Sequence, residues 1–364
     1  MKKLVSVYVR NSKIGPSDYY RICQYLEFID EEYIIYDAIS ENEFKKNLIN
    51  SGVKKNIYQA YLFFRIYLRR LKAILSDIKQ NRQIIIIQRE IFPHAMGRIA
   101  GFFLKKLCKG KKVIWDFDDN IFFNNEICNR ERMILEKNSN VIVVTSEHLR
   151  GLLSESAQKK TILLPTTDGF CKRFDIDLYK KKRMNSYRER IELVWVGTAV
   201  NLNNIDLVIN ELDEAASVLK KHSKRMILNI VCNKKYECKT HSLIINNIKW
   251  SRKIAEETII NSHIGIMPLI MSEYALGKGG FKLIQYISVG LPVVASAVGY
   301  NVEIISNDMG KLIRNNDLEE WKKFIVKLSA DSILYATMGE AAAYRYRKMF
   351  SYEANAIVWK KMIN

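Results

Sequence analysis

GKGGFKLIQYISVGLPVVASAVGYNVE, running from Gly277 to Glu303, is the stretch whose reading decides the fold. Its opening, Gly277-Lys278-Gly279-Gly280, leads into a helical pattern from Phe281 to Val289 that stops at Gly290-Leu291-Pro292. An apolar strand, Pro292 to Ser296, and a second glycine turn at Gly299 follow. A helix that begins at glycines presents N–H groups without intrahelical partners and the positive end of its dipole, which suits an anion. Lys278 and Lys282 bring mobile positive charge to the same place. An ordinary loop–helix–strand unit of an α/β domain reads the same way, because a glycine-rich loop alone is a weak signal.

Outward from this stretch, strands and helices alternate. Strand patterns cover Leu4 to Val9, Tyr33 to Asp37, Ile84 to Ile87, Val113 to Trp115, Val141 to Thr145 and Thr161 to Leu164. They restart at Glu192 to Val196, Met226 to Cys232, Asn247 to Trp250 and Ile264 to Met267. Helical patterns fill the intervals, including one from Ser17 or Asp18 to Phe28 and one from Lys54 to Arg82. That alternation predicts α/β architecture with two doubly wound, Rossmann-like domains, and a chain of 364 residues suits two cores. Residues 168 to 190, with the run Lys180-Lys181-Lys182-Arg183, read as a solvated connector, which places the domains at 1–185 and 186–340.

A hydrophobic content of 48% argues against extended disorder. A net charge of +19 favours a polyanionic partner: nucleic acid, an anionic membrane or a phosphorylated substrate. The six cysteines show no CxxC spacing, so free thiols in a reducing compartment are expected and no metal site. No apolar run reaches the ~18–20 residues that span a bilayer, which predicts a soluble or peripheral cytoplasmic protein. Within 54–82, Tyr61, Phe64, Leu68, Leu71 and Leu75 recur at helical steps beside a basic stripe of Arg65, Arg69 and Lys72. A membrane interface fits that pattern, and so does a buried apolar face backed by a solvated basic one.

Loops after strand ends face the ligand in an open parallel sheet, so Gly15 and Arg21 can approach a substrate; a plain turn and a surface arginine account for the same residues. Asp116, Asp118 and Asp119 crowd the end of another strand against their mutual repulsion. Three roles compete for them: general base or electrostatic stabiliser, divalent-metal ligand, and helix cap.

GKGGFKLIQYISVGLPVVASAVGYNVEII resembles the carboxyl-terminal sugar-nucleotide signature of the GT-B glycosyltransferases, family 4, the "glycosyl transferases group 1" type. Further segments fit one branch of that family in the same order: GPSDYYRI at 15–22, IIIIQREIFP at 84–93, VIWDFDDNIF at 113–122, VIVVTSEHL at 141–149, LVWVGT at 193–198 and IGIMPL at 264–269. The resemblance implies two Rossmann-like domains facing across a cleft, with the donor mainly on the second and the acceptor mainly on the first. It also implies a last helix, here within 341–364, that crosses back to the first domain. It implies a nucleoside-diphosphate sugar as co-substrate, no cofactor and no metal, and retention at the anomeric carbon.

Residue by residue, the family's two glutamates fall on Gly277 and Gln285, so neither carboxylate is present. The Arg and Lys that often follow the second domain's first strand are missing after Gly197. The resemblance therefore implies phosphate contacts from Gly197, Thr198, Lys278, Gly279, Gly280 and Lys282, and ribose or sugar contacts from Gln285, Asn301 and Glu303, with Gly15 also on the donor. Asp118 stands where the family has a first-domain histidine, with Asp119 beside it, and both join Lys282 as expected catalytic residues. Arg21, Arg89 and Asp116 are expected on the acceptor side. Expected partners are a nucleotide sugar, a saccharide or lipid-linked acceptor and an anionic membrane surface, with no nucleic acid. Two other readings stay open. One is a metal-dependent phosphohydrolase built on the Asp-Phe-Asp strand end, although Asn120 stands where that family has threonine. The other is a non-catalytic basic protein that binds membranes.

Overall fold

The computed structural model describes residues 3–49, 52–123 and 125–363. Two compact units divide the chain: Met1–Thr166 with Gly277–Gly279 and Glu353–Asn364, and Thr167–Leu276 with Gly280–Tyr352. Each carries one six-stranded sheet whose pairs are all parallel.

The first unit holds β1 (Leu4–Val9), β2 (Glu32–Asp37), β3 (Ile84–Gln88), β4 (Lys112–Phe117), β5 (Val141–Val144) and β6 (Thr161–Leu163), in the order β2-β1-β3-β4-β5-β6. The isoleucines of β3 are buried on both faces, as a parallel sheet covered on each side requires. Ile85, Ile87, Trp115 and Phe117 join one apolar cluster with Ile74 of helix Gly52–Lys79 and Leu104 of helix Arg98–Cys108. Ile84, Ile86 and Val7, which alternate with them, are buried on the opposite face. The chain lays β2 on one side of β1 and β3 on the other. That creates a topological switch point, with the loops after Val9 and Gln88 leaving from its carboxyl edge. Buried Arg70 fastens this edge. It donates to the carbonyls of Val9 (2.7 Å), Tyr36 (2.6 Å) and Ile91 (3.2 Å).

The second unit holds β7 (Arg190–Val196), β8 (Arg225–Cys232), β9 (Ile244–Lys249), β10 (Ile264–Met267), β11 (Val293–Ser296) and β12 (Gly310–Ile313), in the order β12-β11-β10-β7-β8-β9. Ile191, Leu193 and Trp195 of β7 pack into one cluster with Leu212 and Trp321. Val194 and Val196 face another with Leu283 and Ile287. Burying side chains of this size contributes roughly 1.5–3 kcal/mol each. The switch point here lies between β7 and β10, where Gly197 and the loop from Pro268 begin.

The α/β class with two Rossmann-like units matches the expectation, while several local readings change. The helix expected over 17–28 is a short α-helix, Pro16–Arg21, followed by a 3-10 turn, Cys23–Phe28. Asp18 does not cap it, because its carboxylate accepts the backbone N–H groups of Arg10 and Asn11, both at 2.9 Å. Burial pushes the Asp18 carboxyl up to about 6 against those bonds. A helix over Glu41–Ile49 has no counterpart in the sequence reading.

The supposed connector contains helix Ile176–Ser186, capped by Asp175. Arg183, in the run expected to be solvated, is buried. It donates to the carbonyls of Ile260 (2.7 Å) and Val289 (2.8 Å), at the ends of helices Arg252–Asn261 and Phe281–Ser288. Helix ends leave carbonyls without intrahelical donors, and one planar guanidinium serves both. Among the described residues no helix is long and apolar enough to cross a membrane.

Candidate active site

In the first unit, charged side chains converge on the β1/β3 switch point. Arg10 clasps Glu90 with Nε (2.7 Å) and Nη2 (2.8 Å), and Nη2 also reaches Glu126 (2.5 Å). Arg89 donates to Asp119 at 3.0 Å and lies 3.9 Å from Asp118 and 3.6 Å from Glu126. Ser17 Oγ donates to Asp118 at 2.8 Å. Arg89 adopts φ +63°, sparsely populated for a residue with a side chain. It is held there from both sides, since its N–H bonds the Asp116 carbonyl (2.7 Å) and its carbonyl accepts Trp115 Nε1 (2.7 Å). Such conformations persist where surroundings over-determine them, often at functional sites.

Burial and then repulsion from Asp118 push the Asp119 carboxyl up to about 6, with Arg89 and Lys278 pulling the other way. Burial in turn lowers the Lys278 ammonium, which Asp119 opposes. Gly277–Gly279 group with this unit, and a Cβ on Gly277 would stand 2.5 Å from the Asn120 Cβ. A glutamate at 277 has no room here.

The sequence put Arg21 and Asp116 on the acceptor side. The structure pairs them inside the unit, 1% and 0% exposed. Arg21 Nε lies 3.1 Å and Nη2 2.5 Å from Asp116, and Nη1 donates to the Leu164 carbonyl at 2.6 Å. Burial works against the Arg21 charge, and Asp116 more than offsets it. An aspartate held this way is not a free nucleophile, which removes the footing of the phosphohydrolase reading. Among the described residues no group of three or more His, Cys, Asp or Glu is placed to hold a metal ion.

In the second unit, helix Phe281–Ser288 starts at Gly280, whose φ of +61° favours glycine. A Cβ there would come within 2.3 Å of Ile304 Cδ1. Gly280→Ala should therefore cost about 1–3 kcal/mol, read as a lower urea midpoint. Lys282 occupies the first turn of the helix, its Nζ 4.8 Å from the Phe281 ring centre.

Gln285 is buried and donates to Asp168 at 2.9 Å. Asp168 also accepts the Phe170 N–H (3.0 Å), and its carbonyl accepts Tyr346 OH (2.9 Å). Sequence reading missed Asp168; its Asp-Gly turn was the available signal. Buried Asn301 donates to the Ser296 carbonyl at the end of β11 (3.1 Å) and stands near Gly280. Glu303 is exposed, and its carbonyl accepts Arg345 Nη2 (2.7 Å). Thr198, exposed after β7, accepts Asn201 Nδ2 (2.8 Å), and the Gly197 N–H donates to Val231 (3.2 Å). The structure thus gathers Gly280, Lys282 and Asn301 at one helix start. Gly15 lies in the first unit, beside Ser17.

Residues 190–331 match the family described as Glycosyl transferases group 1. Apart from Gly277–Gly279, the matched residues lie within the second unit. Among solved structures, the whole chain resembles HepE of Anabaena in complex with UDP, with a TM-score of 0.62 at 10% identity over 100% of this chain and 99% of that one. The catalytic domain of starch synthase IV from Arabidopsis thaliana, bound to ADP and acarbose, gives 0.62 at 11% identity over 100% and 98%. A glycosyltransferase from Rickettsia africae ESF-5 gives 0.61 at 16% identity over 100% and 99%. At these identities the likeness shows the fold. No curated protein matches the sequence. The expected GT-B fold is met by the solved structures, and the expected family by a match over residues 190–331 only.

Proposed function

We propose that this protein is a glycosyltransferase that moves a sugar from a nucleoside-diphosphate sugar to a hydroxyl of a saccharide acceptor, lipid-linked or part of a surface polysaccharide, with retention at the anomeric carbon. The observation that carries this reading is the glycine-led helix Phe281–Ser288, with Lys282 in its first turn, inside the stretch that matches the group 1 family. Solved neighbours of the same fold hold UDP, UDP-glucose and ADP, which supports a nucleotide donor.

In the proposed step the bond from the anomeric carbon to the diphosphate breaks and its electron pair leaves with the nucleotide. The acceptor oxygen bonds the anomeric carbon, and its proton passes to a carboxylate. Gly197, Thr198, Lys278, Gly279, Gly280 and Lys282 hold the leaving phosphates by N–H groups and charge. Asn301 and Glu303 take ribose or sugar hydroxyls, with Gln285 set by Asp168. Asp118 and Asp119 receive the acceptor hydroxyl or face the positive charge that develops on the sugar. Arg89 orients Asp119, while Arg21 and Asp116 position the strand end rather than touch substrate. Gly15 contributes backbone next to Ser17.

A thermal-shift screen against UDP-, GDP-, dTDP- and CMP-sugars tests the donor site. A donor at a hundred times its Kd should add about 2.7 kcal/mol of apparent stability, and Lys282→Ala should remove most of that shift. Silence with every donor would overturn the assignment.

We also place the protein on the inner face of an anionic membrane. Helix Gly52–Lys79 leaves Val53 74% and Phe64 66% exposed, with Ile57, Tyr61 and Leu68 in the same row and Lys54, Lys55 and Arg65 beside it. Each cation near such a surface contributes about 1 kcal/mol. Phe64→Ser with Leu68→Ser should weaken sedimentation with phosphatidylglycerol vesicles about tenfold or more. Unchanged sedimentation would remove the helix from the interface.

A further inference from the structure

A groove of about 1280 Å³ lies in the first unit between helix Arg98–Cys108 and helix Asn129–Asn138. None of its lining residues belongs to the cluster at the β1/β3 switch point. The two helices pack side by side and run the same way, since each carries the chain back from one parallel strand to the next. Each turns a stripe to the groove at three- and four-residue steps. The first gives Arg98, Gly101, Phe102 and Lys105, and the second gives Arg130, Met133, Ile134 and Lys137. Both stripes carry a cation at each end and small or apolar residues between. We propose that this groove docks an acidic amphipathic helix of a partner protein, its apolar side on Phe102 and Met133 and its carboxylates against the cations at the two ends.

Charge gives the sign of the partner. Seven of the lining residues are Lys or Arg and none is Asp or Glu. Among the described residues no carboxylate pairs with Arg98, Lys105, Lys109 or Lys137. At the switch point, by contrast, Arg10 and Arg89 each have their acids. Helix dipoles favour lysines in a last turn. They oppose Arg98 and Arg130, which stand in the first turns, at the positive ends. Arg130 reaches the Met96 carbonyl at 2.9 Å, which carries no charge to neutralise it. Cations held against the dipole, without acids of their own, answer an anion from outside the chain.

Shape and apolar content choose among polyanions. Phe102 is 62% and Met133 65% exposed, so the middle of the groove rewards an apolar partner, which a chain of phosphates lacks. A single nucleic-acid strand stacks its bases on a series of aromatic rings, and this groove offers one, Phe102. A bilayer is flat and meets ridges rather than the strip between two helices. A third helix laid along that strip meets both stripes, and helix-in-groove recognition reads anchors at the same three-, four- and seven-residue steps. Within each stripe the two cations stand seven residues apart, about 10 Å along the axis. Carboxylates two turns apart on the incoming helix match them. The docking does not depend on the transfer chemistry.

The probe is a labelled synthetic peptide of about 20 residues, long enough to form a helix, with leucines at helical steps between flanking glutamates. It is titrated with the full chain by fluorescence anisotropy. Comparators are the same residues reordered so that the leucines scatter round the helix, a single-stranded oligothymidylate, and phosphatidylglycerol vesicles. The amphipathic peptide should bind at least about tenfold more tightly than the reordered one. Phe102→Ser with Met133→Ser should erase that preference. Arg98→Glu with Lys105→Glu should weaken the amphipathic peptide about tenfold or more. All four side chains are exposed, so melting temperatures should hold, and the two pairs test the apolar and the charged parts independently. Phe64→Ser, on helix Gly52–Lys79, should leave the peptide affinity as it was. No binding of the amphipathic peptide, equal affinity for both peptides, or affinity indifferent to both pairs of replacements would overturn the proposal. So would groove variants that weaken oligothymidylate binding or vesicle sedimentation more than peptide binding, which would assign the groove to nucleic acid or lipid.

Discussion

Arg21→Leu should destabilise the protein by about 3–5 kcal/mol, the largest stability loss expected from a single polar replacement in this chain. The substitution removes the guanidinium from Asp116, which is fully buried, and leaves the Leu164 carbonyl without its donor. A buried carboxylate without its partner is worse than no carboxylate. The double variant Arg21→Met, Asp116→Leu should therefore recover at least ~2 kcal/mol of the loss. Urea unfolding of the three proteins measures both quantities. Acid should help the single variant. Burial raises the Asp116 carboxyl already in the native protein, with Arg21 opposing, and removing Arg21 raises it further. A folded-state pKa above the unfolded value means that stability is greatest below the unfolded value and declines as pH climbs through the folded one. Arg21→Leu should therefore lose less at pH 4 than at pH 7. A loss under about 1 kcal/mol at pH 7 would show that the pair is not the internal brace described above.

The second large effect concerns turnover. Asp119→Asn should lower transfer by about 10²–10⁴-fold, the usual range for removing a positioned proton acceptor. With Asp119 as the proposed proton acceptor, the wild-type rate should fall on the acid side as its carboxyl, raised above the usual carboxylate range beside Asp118, takes up a proton. That acidic limb should vanish in the variant. Asparagine keeps the side chain's shape, and an unchanged melting temperature separates lost chemistry from lost fold. A variant that keeps both its rate and its acidic limb would move the proton acceptor elsewhere.

The parts of this molecule that were legible in the sequence are those set by local pattern. Ile84 to Ile87 announces a strand buried on two faces, and Gly280 before Phe281 announces a helix start. Ser146 caps its helix as read, accepting the Leu149 N–H at 3.3 Å. The acids after β4 were visible as a crowd, but not which one would be neutralised. Asp116 finds Arg21 at a separation of 95 residues, and Arg10 finds Glu126 at 116. Such pairs form only once the strand order is fixed, so neighbouring residues do not reveal them. Basic runs misled for a related reason. Arg183 reads as part of a solvated run, and Arg70 went unremarked beside the stripe of Arg65, Arg69 and Lys72, yet each turns inward to carbonyls that loops and helix ends leave over. Gln285 likewise acquires Asp168, whose place depends on the turn after Thr167.

The three-way grip of Arg70 has a consequence for how this protein can change over generations. Its hydrogen bonds join the roots of three loops, at Val9, Tyr36 and Ile91, and take no part in their tips. Insertions and replacements further out leave the carbonyls in reach, so the tips are open to drift. A change of length at any one root pulls a carbonyl from the shared donor and is felt by the other two. Descendants of this chain should therefore diversify these loops from the outside inward, with the three anchoring points inherited as a set.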